Sequence, residues 1–124
     1  MIRGRDFLPV GQFLEKLAGE ASERTRTGRA YYAAFLEARQ FCEDRLGYER
    51  VKSGGEHVTV PRLMATVDAK LEVDLAFLRQ LRNHADYDLH FAEETIWLQL
   101  LDAVDQANEI IARLDELAAP GTDA

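Results

Sequence analysis

An all-α bundle of four or five helices is predicted by three features of the sequence. Apolar residues recur three and four positions apart along most of the chain. No segment alternates apolar and polar residues as a half-buried strand would, and the glycine- and proline-marked connections are short. A length of 124 residues, 47% of them hydrophobic, suits one domain that buries its own core. There is no internal repeat and no low-complexity segment.

The elements follow in order. Residues 6–19 read as a first helix, with Asp6 as cap, Pro9 in the first turn and Phe7, Val10, Phe13, Leu14 and Leu17 on one face. Gly19–Thr27 reads as a polar connection. The next helix runs from about Thr27 to Leu46 and stops at Gly47, a residue suited to a helix C-terminus. Its stripe is Tyr31, Phe35, Ala38 and Cys42, widened by Tyr32, Ala33 and Ala34. A tyrosine pair of this kind more often serves core or interface than catalysis.

Residues 47–60 form the one substantial loop. Its Ser53–Gly54–Gly55 run matches a phosphate-binding loop only weakly, and His57 lies within it. A further helix is expected with Thr59 as cap, Pro61 in its first turn, Leu63, Met64 and Val67 facing inward, and an end near Lys70–Glu72. Another covers about Val73–His84 with Leu75, Leu78 and Leu81. The last, about Ala92–Ala119, repeats Ile96, Leu100, Val104, Ala107, Ile111, Leu114 and Ala118, with Trp97 and Leu101 alongside.

Composition bounds the function. No stretch reaches the roughly 20 apolar residues that span a bilayer. The basic start, Met1–Arg5, gives way too soon to polar residues for a signal peptide, so a cytoplasmic location without membrane contact is expected. The single Cys42 sits on an apolar helical face and reads as a buried, inert thiol. The net charge of -7 is unevenly spread. Residues 84–124 hold ten acidic residues against Arg113 alone, leaving the first 83 with a small positive balance. That pattern permits a local basic groove and disfavours broad phosphate binding.

Residues 78–90 concentrate the chemistry: Arg79, Arg82, Asn83, His84, Asp86, Tyr87, Asp88 and His90. An arginine fork suits a phosphate, and a histidine exchanges protons near neutral pH. Together they suffice for metal-free RNA cleavage, in which a base takes the ribose 2′-OH proton and arginine stabilises the developing charge. His84, Asp86, Asp88 and His90 alternate and would share one face of an extended segment, but their spacing matches no standard zinc pattern. No metal and no other cofactor is expected. The structural alternative is that Asp86 and Asp88 cap the last helix or neutralise Arg79 and Arg82, with Tyr87 packed under the bundle.

Two blocks resemble the HEPN domain family. Gly28–Arg29–Ala30–Tyr31–Tyr32–Ala33–Ala34–Phe35 and the residues up to Arg39 resemble its "S-R-A-Y-Y-A-x-F-x-A-A-R" helix. Leu78–Arg79–Gln80–Leu81–Arg82–Asn83–His84–Ala85–Asp86–Tyr87–Asp88 resembles "L-x-x-L-R-x-x-A-D-Y-D". With matching helix order, the similarity covers about residues 6–118 of a single domain spanning 1–124.

The resemblance implies an up-and-down four-helix bundle with a short extra helix, assembled as a homodimer. It also implies metal-independent endoribonuclease activity, as the toxin of a prokaryotic toxin–antitoxin or defence system. In that family an arginine, a polar residue and a histidine after four to six intervening positions form a site across two subunits. Arg82–Asn83 fits the first half, but Tyr87 follows four intervening residues and His90 follows seven. Arg79 and His84 satisfy the spacing, with Gln80 in the polar slot. The implied catalytic set is therefore Arg82, His84, Arg79, Asn83, Tyr87 and His90, with Arg29, Asp86 and His57 as RNA or nucleotide contacts. The alternative is a non-catalytic HEPN module that dimerises and binds a nucleotidyltransferase-like partner or a nucleotide.

Overall fold

The computed structural model describes residues 2–9, 20–51, 54–87 and 102–119, with backbone alone at 20–23, 86 and 87. Four helices carry the described chain: α1 (Glu20–Arg45), α2 (Glu56–Ala65), α3 (Ala69–Tyr87) and α4 (Ala103–Ala118). A 3-10 turn at Gly4–Asp6 leads into helical residues 7–9. No strand occurs among the described residues, and the fold is an all-α bundle. The remainder of the expected first helix and the first part of the expected last one, with Ile96, Trp97, Leu100 and Leu101, lie outside the described residues.

α1 is the central helix. It packs on α2, α3, α4 and the N-terminal turn. Ala30, Ala33, Ala34 and Ala38 are at most 1% exposed, and such small side chains let neighbouring helices approach closely. The expected stripe of Tyr31, Phe35, Ala38 and Cys42 is buried throughout, as are Leu75, Leu78 and Leu81 of α3. On α4, Val104, Ala107, Ile111 and Leu114 are buried, whereas Ala118, expected to extend that face, is exposed.

Several boundaries differ from those expected. The polar connection expected at 19–27 is helical from Glu20, and described polar residues within it pack against the rest of the bundle. Arg26 and Thr27 are buried. Arg24 donates to the carbonyls of His84 (3.3 Å) and Ala85 (2.9 Å), two of the four that the end of α3 leaves without helical partners. The next helix starts at Glu56, with Gly55 as N-cap, so Thr59 lies in the first turn and Pro61 lies deeper. Glu56 is favoured at that position by the helix dipole, accepts from Tyr48 Oη (2.8 Å) and pairs with Arg39 (3.4 Å).

α2 then ends at Ala65, well short of 70–72. Asp68 starts α3: its carboxylate accepts from the Lys70 N–H (3.0 Å) and pairs with Arg113 (2.8 Å). Val67, expected inside, therefore falls in the turn and is 39% exposed. Gly47 closes α1 at φ 68°, and the Tyr48 N–H donates to the Cys42 carbonyl (3.1 Å).

The N-terminal segment is clasped to α1 through a buried acid. Glu37 accepts from Arg3 Nη2 (3.0 Å), Arg5 Nε (2.8 Å) and the Arg5 N–H (3.1 Å), and Arg5 also bridges to Asp115 of α4 (2.9 Å). Gly4 makes this approach feasible. A Cβ there would lie 2.6 Å from the Ala33 carbonyl oxygen and 2.8 Å from the Glu37 nitrogen. Asp6, expected to cap a helix, accepts instead from the Arg3 N–H (2.8 Å) and braces this turn.

Candidate functional site

The site is built where α1, α2 and α3 meet. On α1, Tyr31 and Phe35 lie one turn apart and stack at 5.8 Å between ring centroids. His57, in the first turn of α2, extends that stack. Its ring lies 4.4 Å from Phe35 at an interplanar angle of 23°. Tyr31 Oη and His57 Nδ1 are 2.5 Å apart and share a hydrogen bond. The helical start at Glu56 takes His57 out of the loop and fixes its ring against α1.

α3 supplies the charge. The Arg82 guanidinium lies over the ring of Tyr32, 4.9 Å from its centroid, and 5.8 Å from that of Tyr31. Arg79, one turn earlier, lines the same groove as His57. Both arginines act on His57 and Tyr31. Burial is the chief force holding His57 below its ordinary value, and the positive charges of Arg79, Arg82 and Arg39 push the same way against Glu56. Burial likewise raises the Tyr31 hydroxyl, outweighing the opposing pull of Arg79 and Arg82. The pair is therefore a neutral phenol and a neutral imidazole at pH 7. Either tautomer satisfies the contact: the phenol donates to Nδ1, or Nδ1–H donates to the phenol oxygen and leaves Nε2 as an acceptor.

The other sequence-derived candidates are distributed differently. Asn83 and Gln80 line the groove with Arg79 and His57. His84 does not join Arg82. α3 stays helical through Tyr87, and two residues turn about 200° around a helix, placing His84 on the opposite flank. The same helicity removes the alternation that would have gathered His84 and Asp86 on one face. Arg29 is also directed elsewhere, with its guanidinium 5.7 Å from the Phe7 ring centroid. Asp86 and Tyr87 occupy the last turn of α3, their side chains outside the described residues, as is all of His90 and Asp88.

Among the described residues, no three His, Cys, Asp or Glu side chains gather as a metal site. No described helix is long and apolar enough to cross a membrane. Cys42 is fully buried beside Met64, and burial, with Glu43 adding to it, pushes its thiol up to about 11. At neutral pH it is a packing residue.

The ring stack that orients His57 is the part that sequence reasoning passed over. Its signal was the tyrosine pair followed by Phe35 one turn later, which is indistinguishable from core until a partner histidine is placed on it.

No protein-family model matches the chain, and no solved structure matches it. The chain is similar to an uncharacterized protein of Methanocaldococcus jannaschii, MJ0992, at 34% identity over 94 residues. The match covers 60% of this chain and 52% of that protein, so the chain spans about half the length of the curated relative it matches.

Proposed function

We propose that this chain is a HEPN-type domain acting as a metal-independent endoribonuclease, with the α2–α3 groove as its RNA site. The observation that carries this reading is the convergence of Arg79 and Arg82 on a neutral His57 hydrogen-bonded to Tyr31. The arginines would hold the scissile phosphate and stabilise charge on its oxygens. Nε2 of His57 would accept the 2′-OH proton as that oxygen attacks phosphorus. The P–O5′ bond then breaks, leaving a 2′,3′-cyclic phosphate and a 5′-oxygen that takes up a proton. Tyr31 would keep the imidazole oriented throughout.

The wider setting follows from the family resemblance: a toxin of a toxin–antitoxin or defence system, working as a homodimer and restrained by a nucleotidyltransferase-like partner. One observation favours a second reading, a non-catalytic HEPN module that binds a nucleotide or such a partner. The histidine of the linear α3 motif, His84, is turned away from Arg82.

The test is cleavage of a mixed cellular RNA pool by purified protein in EDTA, beside Arg79→Ala and Arg82→Ala. Cutting that persists in EDTA and fails in both variants supports the nuclease. RNA bound but uncut would transfer the site to the second reading, and equal cutting by all three proteins would expose a contaminant.

A further inference from the structure

The groove beside His57 contains surface that a phosphate alone does not use. Toward the start of α3 its walls are apolar, with Val58 and Pro61 of α2 facing Val73, Ala76 and Phe77 of α3. Val58 and Val73 are 48% and 64% exposed, so this apolar surface is open to solvent. Toward the end of α3 the lining becomes polar, with Gln80 and Asn83 one turn apart beside Arg79. The groove encloses about 700 Å³, within the size range of small-molecule sites.

We infer that the apolar half of this groove is a subsite for an unpaired nucleobase whose phosphate lies at Arg79 and Arg82. The inference rests on the ribonucleotide reading above and adds to it where the base goes and what contacts it. Three features favour a base over another apolar group. An aromatic ring with flat aliphatic walls accepts the π-face of any base. Two carboxamides offer donors and acceptors together, which is what base edges present and what a lipid or an aliphatic chain would leave unmatched. The rise from Val73 to Arg79 is about 9 Å along the helix, close to the span from base to phosphate within one nucleotide. Polarity sets the direction. Glu72 closes the apolar end and repels phosphate, while the Arg79 guanidinium lies toward the other, with Arg82 a turn beyond it over the Tyr32 ring. A base inside a duplex is stacked and paired, and does not reach these walls.

Free mononucleotides and nucleotides within an RNA chain share this chemistry, so the test separates them. Binding is measured in EDTA with 2′-O-methyl oligonucleotides, which cannot be cleaved. A single strand, the same strand with abasic riboses and the corresponding duplex are compared, with 5′-mononucleotides as competitors. The base-bearing strand should bind about tenfold tighter than the abasic strand, and the duplex like the abasic strand. Ala76→Trp fills the apolar half from an exposed position and should abolish that difference while leaving abasic binding unchanged. Val73→Gln, also exposed, should weaken base-bearing binding alone. Competition by mononucleotides would assign the subsite to free nucleotides as well, and its absence to RNA only. Equal binding of base-bearing and abasic strands would overturn the subsite while sparing the phosphate site. Failure to bind either would overturn both.

Discussion

His57 shows how the surroundings of one side chain set its chemistry. Stacked on Phe35 and bonded to Tyr31, it is held neutral by burial and by the charges of Arg79 and Arg82. Its NMR titration midpoint should therefore lie below the ordinary 6.5 and rise when inorganic phosphate binds the arginines. The sign for stability follows from linkage. Between the native and unfolded values the unfolded chain binds the extra proton, so His57 destabilises the fold progressively as pH falls below about 6.5. His57→Gln should remove that part of the acid sensitivity in urea denaturation followed against pH.

Cys42 provides a second check at this scale. With its thiol at about 11 and fully buried, it should resist an aromatic disulfide reagent at pH 8 in the native state and react once the chain is unfolded. The burial of Cys42 was legible in the sequence because it shares the period of Tyr31, Phe35 and Ala38. The placement of His57 was not legible, because its partners come from two other helices.

At the scale of elements, the apolar stripes located the helices and the polar residues misplaced their ends. The polar run at 19–27 reads as a connection, and residues 66–72 read as the end of the helix that begins near Thr59. Yet Arg24 reaches the end of α3 and Arg26 is buried within a continuous helix, and a single aspartate, Asp68, divides α2 from α3. Gly47 was read correctly because a left-handed residue ending a helix has a local signature.

The N-terminal clasp had no such signature, since it joins residues 32 apart in sequence. It should be sensitive to Gly4→Ala, where the new Cβ meets the backbone of α1. A loss of about 1–3 kcal/mol in chemical denaturation is expected, with faster hydrogen exchange confined to residues 2–9. Glu37→Ala should cost about 2 kcal/mol by removing the acceptor of several charge-assisted hydrogen bonds. Burial pushes the Glu37 carboxyl up, but Arg5 and then Arg3 outweigh it and hold it below its ordinary value. The clasp therefore stabilises fully above about pH 4.5 and loses strength as pH falls through the lower native value, a dependence that Glu37→Gln should remove.

Across the whole molecule, the bundle brings together groups that the sequence scatters. The linear reading centred on residues 78–90 and paired Arg82 with His84. The folded chain keeps the arginines, sets His84 about 200° around α3 from Arg82 and brings His57 in from α2. All-α class and the stripe of Tyr31, Phe35, Ala38 and Cys42 were recoverable because they rest on short-range periodicity. The composition of the site was not, because it depends on where α2 begins and how its first turn meets α1. Charge is partitioned at the same scale, with acidic residues concentrated after residue 84 and the Arg79–Arg82 edge left as the face suited to an anion.

The most direct measurement is the initial rate of RNA cleavage in EDTA for wild type, His57→Ala and His84→Ala at equal folded concentration. Loss of a proton-transferring histidine lowers such rates by about 10²–10⁴-fold. The groove account predicts a loss of that size for His57→Ala and a change within about twofold for His84→Ala. The reverse order, or a wild type that leaves RNA intact, would contradict it.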